Sequence, residues 1–128
     1  MQHVVSVISE AMPVLLTGMG LTIKITFFGV LIAFVLGLFV CLMNISKNKV
    51  LQSVAGAFIY IIRGTPFLVQ LFFLYFGVAP MLPFGKDKIT ITIVTLSLNA
   101  GAYMAEIFRG SIQSISKGQM EAARSLGL

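Results

Sequence analysis

Polar side chains follow one face of an otherwise apolar segment in the last third of the sequence. Thr95, Asn99 and Tyr103 are four residues apart, and Thr92 and Glu106 share their face at helical spacing. Polar groups in an apolar segment are costly to bury, so they usually line a cavity or contact a partner. The pattern therefore predicts either the lining of a pathway or contacts between helices, and both alternatives stay open.

A second group of polar residues carries charge. Glu106 and Arg109 are three residues apart, so they can pair on one helix, and such a pair is more often structural than functional. Arg63 stands in the preceding apolar stretch, three residues before Pro66. Proline lacks a backbone donor and disfavours helix at the residue before it. A bend is therefore predicted at residues 63–66.

Neither catalysis nor metal binding finds support in the sequence. One cysteine, Cys41, and one histidine, His3, are too few for an internal disulfide or a metal site. The sequence contains no glycine-rich phosphate-binding loop with Lys-Ser/Thr, and Glu106 has no evident second catalytic group. We expect no catalytic residue, no metal site and no cofactor.

The composition indicates a protein that lies in lipid. Of the 128 residues, 58% are hydrophobic and 10% are charged. Soluble domains are about 45–50% apolar and about 25% charged, and a chain of this size could not bury so much apolar surface in water. The net charge of +5 comes from basic residues scattered between apolar runs, which are interpreted as topology signals and not as a nucleic-acid-binding surface. A disordered chain, a disulfide scaffold and an ordinary cytosolic enzyme are excluded.

Three apolar segments are candidates for membrane spans. Residues 25–43 form an uncharged run about 28 Å long as a helix, close to the bilayer core of about 30 Å. Residues 4–23 are milder, and we expect an interfacial lead-in that continues into the first span. The following segments are a polar break, a second span, a turn, a third span and a polar tail, at residues 44–49, 50–78, 79–88, 89–108 and 109–128.

Charged residues suggest how the spans are oriented. The positive-inside rule favours an N-terminus outside the cell, because five basic residues then lie on the cytoplasmic side and three on the other. The five are Lys47, Lys49, Arg109, Lys117 and Arg124, and the three are Lys24, Lys86 and Lys88.

Stripes of small residues suggest how the spans pack. Small residues at four-residue spacing let helix backbones approach closely. The first span and its lead-in carry such a stripe at Gly18, Thr22, Thr26, Gly29, Ala33 and Gly37. The third span carries a second one at Ser97, Gly101 and Ala105, opposite its polar face. We therefore expect these two faces to be packing surfaces.

The tail contains a short predicted surface helix. Ser116 followed by Gln119 forms a capping box, and Gly127 stands where a C-cap glycine belongs. A helix this short is unstable alone, so docking on a partner is one interpretation, while an ordinary surface helix is the other.

Four sequence blocks in a fixed order resemble the permease subunits of polar amino-acid ABC importers of the histidine, glutamine, glutamate and arginine type. The blocks are RGTPFLVQ at residues 63–70, SLNAGAYMAE at 97–106, Arg109-Gly110 and QMEAARSLG at 119–127. The resemblance implies an all-α integral membrane protein with the type I importer fold, whose subunits normally carry five transmembrane helices. Residues 1–128 would be a single transmembrane domain with about three of these helices. Because it ends within the ATPase-coupling motif, we expect a C-terminally truncated subunit.

The resemblance also implies a location and partners. The subunit would be a multi-pass protein of a bacterial cytoplasmic membrane, with its N-terminus outside. It would pair with a second permease subunit, identical or homologous. An extracytoplasmic binding protein would deliver the amino acid, and an ABC ATPase subunit would drive transport. Its coupling helix would dock on that ATPase through Gln119, Glu121, Ala122, Ala123 and Gly127.

This interpretation assigns the remaining polar residues to two roles. The solute side of the pathway would be formed by Thr95, Asn99 and Tyr103, with Gln70 contributed by the second span. The inner gate would be organised by Arg63, Pro66, Glu106 and Arg109. The alternative function is a small structural or assembly subunit without its own pathway, in which a partner helix fills the polar face of the third span.

Overall fold

The computed structural model describes residues 2–83 and 87–128, and every regular element in these two ranges is helical. The α-helices in chain order are α1 (Gln2–Asn44), α2 (Lys49–Gly64), α3 (Phe67–Phe72), α4 (Lys88–Gln113) and α5 (Lys117–Ser125). A π-helical turn (Phe73–Val78) and a 3-10 turn (Ala79–Met81) follow α3. Residues 84–86 of the predicted turn, with Lys86, lie outside the described residues.

The predicted lead-in and the first span form one helix. α1 has 43 residues and continues through Pro13, which makes it about 65 Å long, roughly twice a bilayer core. The polar break that follows it is confirmed, because Asn48 caps α2 by accepting a hydrogen bond of 2.9 Å from the Val50 amide.

The second apolar stretch is bent, as the proline at residue 66 predicts. The segments Lys49–Gly64 and Phe67–Met81 meet at 107°. α2 ends at Gly64, and Thr65 and Pro66 both have extended backbone. The chain thus has two helices long and apolar enough to span a membrane, or three spans if the bent pair counts as one.

α4 is longer than predicted, because residues 109–113 belong to it and not to a polar tail. Arg109 bonds with Glu106 and Gln113 on the surface of the helix, and such pairs at three- and four-residue spacing stabilise its last turns. At the other end, the Asp87 carboxylate caps the helix by accepting from the Ile89 and Thr90 amides at 3.2 Å. A hydrogen bond from the Thr90 hydroxyl is the main cause that lowers the pKa of the Asp87 carboxyl.

The two predicted small-residue stripes pack against each other, so α1 and α4 lie side by side. The Ser97 hydroxyl donates to the Gly29 carbonyl at 3.2 Å, and a Cβ on Gly37 would lie 2.7 Å from the Met104 Cβ. Because Gly29 meets Ser97 and Gly37 meets Met104, the two helices run in the same direction. The segment between them must therefore cross back. The first half of the stripe does not pack, because Thr22 and Thr26 are exposed and a Cβ on Gly18 would meet nothing within 4 Å.

The predicted short helix of the tail is confirmed. The Ser116 hydroxyl caps α5 by accepting from the Gln119 amide at 3.4 Å. At the other end Gly127 has a φ of 78° and donates to the Arg124 carbonyl, while the Leu128 amide donates to the Ala123 carbonyl, both at 3.0 Å. This pair of bonds is a Schellman motif, which requires the left-handed backbone that glycine adopts at lowest cost.

Candidate functional sites

An ion-pair cluster joins α2 to α4. Glu106 lies between two guanidinium groups: Arg109 donates to its two carboxylate oxygens at 2.9 and 3.0 Å, and Arg63 Nη1 lies 3.4 Å from Oε2. The pair predicted between Glu106 and Arg109 is therefore formed, and Arg63 joins it from the neighbouring helix. Within the described part of the chain, all charged groups of this cluster come from α2 and α4. The cluster can hold α2 and α4 together at Arg63 and Glu106.

Tyr103 extends the cluster into an open cleft between α2 and α4. The Arg63 guanidinium lies 5.2 Å from the centre of the Tyr103 ring, within the range of a cation–π contact. The cleft has a volume of about 420 Å³, and its polar lining comes from Asn44, Tyr60, Arg63, Tyr103 and Glu106. Ligand sites in proteins are commonly about 300–1,000 Å³, and the volume of the cleft lies within this range. Residues predicted separately for the pathway and the gate thus share one cavity.

Gln70 and Asn99 form a second polar contact in the seam between the bent span and α4. Asn99 Nδ2 donates to Gln70 Oε1 at 3.1 Å. Gln70 Nε2 lies 2.6 Å from the Ile62 carbonyl, 3.0 Å from the Thr65 carbonyl and 2.8 Å from the Thr65 hydroxyl. The amide of Gln70 is therefore engaged at both ends.

Thr95 joins neither group. Its side chain is fully buried, and its hydroxyl donates to the Ile91 carbonyl of its own helix at 2.8 Å. The structure thus brings together Arg63, Tyr103 and Glu106, and separately Gln70 and Asn99. A role for Thr95 at the solute remains a prediction.

Sequence analysis missed four residues of these sites, which are Gln113, Thr65, Asn44 and Tyr60. Gln113 accepts a bond of 2.8 Å from Arg109 Nη1, and its four-residue spacing was a signal that could have identified it. Thr65 and Asn44 had no such signal. Their positions depend on how α2 bends and on where the end of α1 meets α4.

The predicted coupling residues lie on an exposed helix. In α5, Gln119, Glu121 and Ala122 are exposed and Ala123 is half-buried, while Gly127 closes the helix. Ser125 donates to the Glu121 carbonyl at 2.9 Å, which stabilises the last turn. The side chains of Ala122 and Ala123 are small, so they leave room for another protein to approach the backbone of α5 closely.

Comparison with known proteins identifies the family. The model of the family described as "Binding-protein-dependent transport system inner membrane component" matches residues 29–128. The chain belongs to this family. Its membership and its apolar helices place it in a membrane, and the all-α type I importer fold predicted from the sequence blocks is confirmed for this family member.

Individual members of the family are similar over almost the whole chain. The nopaline transport system permease protein of Agrobacterium fabrum is 40% identical over 97% of this chain and 55% of its own length. The arginine transport system permease protein of Bacillus subtilis is 39% identical over 91% and 53%. The glutamine transport system permease protein of Escherichia coli is 40% identical over 100% and 59%. The resemblance of this chain to the permease subunits of amino-acid ABC importers, predicted from its sequence blocks, is therefore confirmed.

A solved structure agrees with these relatives. The crystal structure of an amino acid ABC transporter with histidines matches with a TM-score of 0.84 at 40% identity, covering 94% of this chain and 56% of that one. The chain spans about half the length of the relatives it matches.

Proposed function

We propose that this chain provides membrane-spanning permease structure for an ATP-driven importer of a polar or charged amino acid. The observation that carries the proposal is the polar cleft between α2 and α4, in a member of a transport-system family whose relatives are named as amino-acid permeases. Those relatives favour transport over the alternative of a structural or assembly subunit. The location proposed is the cytoplasmic membrane of a bacterium, with the N-terminus outside.

The amino acid is proposed to travel along the face of α4 that carries Asn99 and Tyr103. The orientation with the N-terminus outside puts the ends of α1 and α4, with Asn44 and Gln113, on the cytoplasmic side. The contact between Arg63 and Glu106 then holds the two walls of the cleft together near the cytoplasmic side and breaks when α2 separates from α4. Thr95 and Gln70 were also predicted for the pathway. In this conformation they are buried behind the residues that line the cleft.

The energy for transport is proposed to come from an ABC ATPase that binds α5. Glu121 offers it a charged contact, Ala122 and Ala123 allow close approach, and Gly127 sets the end of the helix. A second permease subunit and an extracytoplasmic binding protein complete the assembly in the lipid bilayer. This chain contributes no catalytic residue, because ATP hydrolysis belongs to the partner, and it binds no nucleic acid.

Uptake by the reconstituted assembly tests the proposal. The full-length permease, its ATPase and its binding protein are placed in proteoliposomes, and accumulation of labelled arginine, glutamine and histidine is measured with and without ATP. We expect ATP-dependent accumulation of at least one of them. Equal accumulation without ATP would contradict the proposal.

Replacing Tyr103 with alanine tests the solute side of the cleft. The ring is half exposed and faces the cleft, so its loss is expected to raise the half-saturating amino-acid concentration about fivefold, equivalent to about 1 kcal/mol. Ile107→Ala is the control, because Ile107 lies one turn further on α4 and is exposed outside the cleft. A Tyr103 variant that changes protein abundance alone would favour contacts between helices.

A further inference from the structure

The break between α2 and α3 leaves the Ile62 carbonyl without its helical donor. In an uninterrupted helix the Ile62 carbonyl accepts from the amide of residue 66, but residue 66 is proline and has no N–H. An unpaired carbonyl away from water costs free energy. Gln70 supplies the closest donor in its place, because its Nε2 lies 2.6 Å from the Ile62 carbonyl oxygen, while the Thr65 hydroxyl lies 3.5 Å from it.

The same side chain binds the bend at a second residue. Nε2 lies 3.0 Å from the Thr65 carbonyl and 2.8 Å from the Thr65 hydroxyl, and that hydroxyl donates at 2.9 Å to the Ile61 carbonyl. The amide has two hydrogens for three acceptors, so one hydrogen is shared. Gln70 is 9% exposed, which shields these bonds from competing polar groups.

The other end of Gln70 is tied to α4. Its Oε1 accepts from Asn99 Nδ2 at 3.1 Å. Asn99 stands one helical turn before Tyr103, whose ring contacts Arg63 on the other side of the bend. A single side chain therefore fixes the shape of the broken span and its position on the helix that carries the cleft.

We propose that Gln70 is a positioning residue that clamps the 107° bend at residues 62–66 and fixes it to α4. It acts on the cleft through the backbone of Ile62 and Thr65 and through Asn99, without touching the solute. The structural part of this inference stands without the proposed function, and its transport consequence rests on that function.

Replacing Gln70 with glutamate removes the clamp with almost no change of size. A carboxyl group donates one hydrogen bond at most when protonated and none when ionised, so it cannot satisfy the Ile62 and Thr65 carbonyls together, and its ionised form is repelled by both oxygens. Gln52→Glu is the matched control, since Gln52 is an exposed glutamine of α2 far from the bend. Asn99→Ala is a second variant that keeps the bend clamped and removes only its tie to α4.

Distances between spin labels report the bend directly. In the full-length protein with Cys41→Ala, labels are attached at Val50 on α2 and Phe76 after α3, which are both 69% exposed. Double electron–electron resonance should give one narrow distance for the parent and for Gln52→Glu. It should give a distribution shifted or broadened by several ångströms for Gln70→Glu. A distribution identical to the parent would overturn the proposal.

The second variant tests the tie to α4 independently of whether Gln70→Glu folds. Asn99→Ala should leave the distance from Val50 to Phe76 unchanged and alter the distance from Phe76 to a label at Ile107 on α4. An unaltered distance to α4 would show that the tie to Asn99 fixes nothing, and would overturn that half of the proposal.

Uptake kinetics separate positioning from solute contact. A clamp is expected to lower the maximal rate of Gln70→Glu at least tenfold and to leave the half-saturating concentration within twofold of the parent. A raised half-saturating concentration with an unchanged bend would assign Gln70 to the solute and overturn the proposal. If the parent itself shows no uptake, the proposed function fails, while the distances still decide the clamp.

Discussion

Replacing Gly37 with leucine is expected to separate α1 from α4 and to destabilise the fold strongly. A Cβ at this position would lie 2.7 Å from the Met104 Cβ, 3.0 Å from the Gly101 carbonyl oxygen and 3.2 Å from the Ala105 amide. Two of these atoms belong to the backbone of α4, so they cannot rotate away. Overpacking of a tight core costs about 1–3 kcal/mol, and we expect the upper end of that range or more.

The membrane setting adds to this effect. Lipid is as apolar as the helix surfaces, so close packing of small residues supplies much of the attraction between membrane helices. Thermal unfolding of the purified protein in detergent, followed by fluorescence-detected size exclusion, measures the loss.

Gly18→Leu is the control for this prediction. Gly18 belongs to the same predicted stripe, but a Cβ there meets nothing within 4 Å. We expect an unfolding temperature close to that of the parent for Gly18→Leu and a drop of several degrees or an absence of folded protein for Gly37→Leu. Equal effects at both positions would contradict the packing of α1 on α4.

Replacing Gly127 with valine is expected to abolish uptake by the full-length protein while membrane insertion stays intact. Gly127 has a φ of 78°, and a β-branched residue is strained there. The strain weakens the bonds from residues 127 and 128 to Arg124 and Ala123 that end α5. A helix of nine residues has little stability of its own, so the surface offered to the ATPase is lost. We expect at least a tenfold loss of uptake.

Gly118→Val is the matched control for the coupling helix. Gly118 lies in the first turn of α5, has open space around it and has no positive φ. Uptake should remain within about twofold of the parent. Membrane content and ATPase binding, measured by blotting and co-purification, distinguish lost coupling from lost protein. Parental uptake by Gly127→Val would remove the coupling assignment.

Local sequence patterns correctly predicted those features of the fold that are determined by residues close together in the sequence. Ser116 and Gly127 bracket α5 because caps act within a few residues. The stripes at Gly29 and Gly37 and at Gly101 pack because helical spacing alone puts small residues on one face. The bend at Pro66 follows from one missing amide.

These local patterns could not predict the contacts between side chains and backbone groups on different helices. Gln70 meets the Ile62 carbonyl across the 107° turn of the second span, and Arg63 meets Glu106 where α2 packs against α4. No spacing along the chain specifies that angle. Thr95 shows the opposite failure: its spacing put it on the polar face, but the packing of α4 buries it completely.

Labelling of α5 from each side of the membrane tests the central claim most directly. A cysteine at the exposed Met120, in the full-length protein with Cys41→Ala, is treated with a membrane-impermeant maleimide in right-side-out and inside-out vesicles. We predict labelling from the cytoplasmic face alone and at least fivefold slower labelling once the ATPase is bound. Labelling from the outer face, or an unchanged rate with the ATPase bound, would contradict the account.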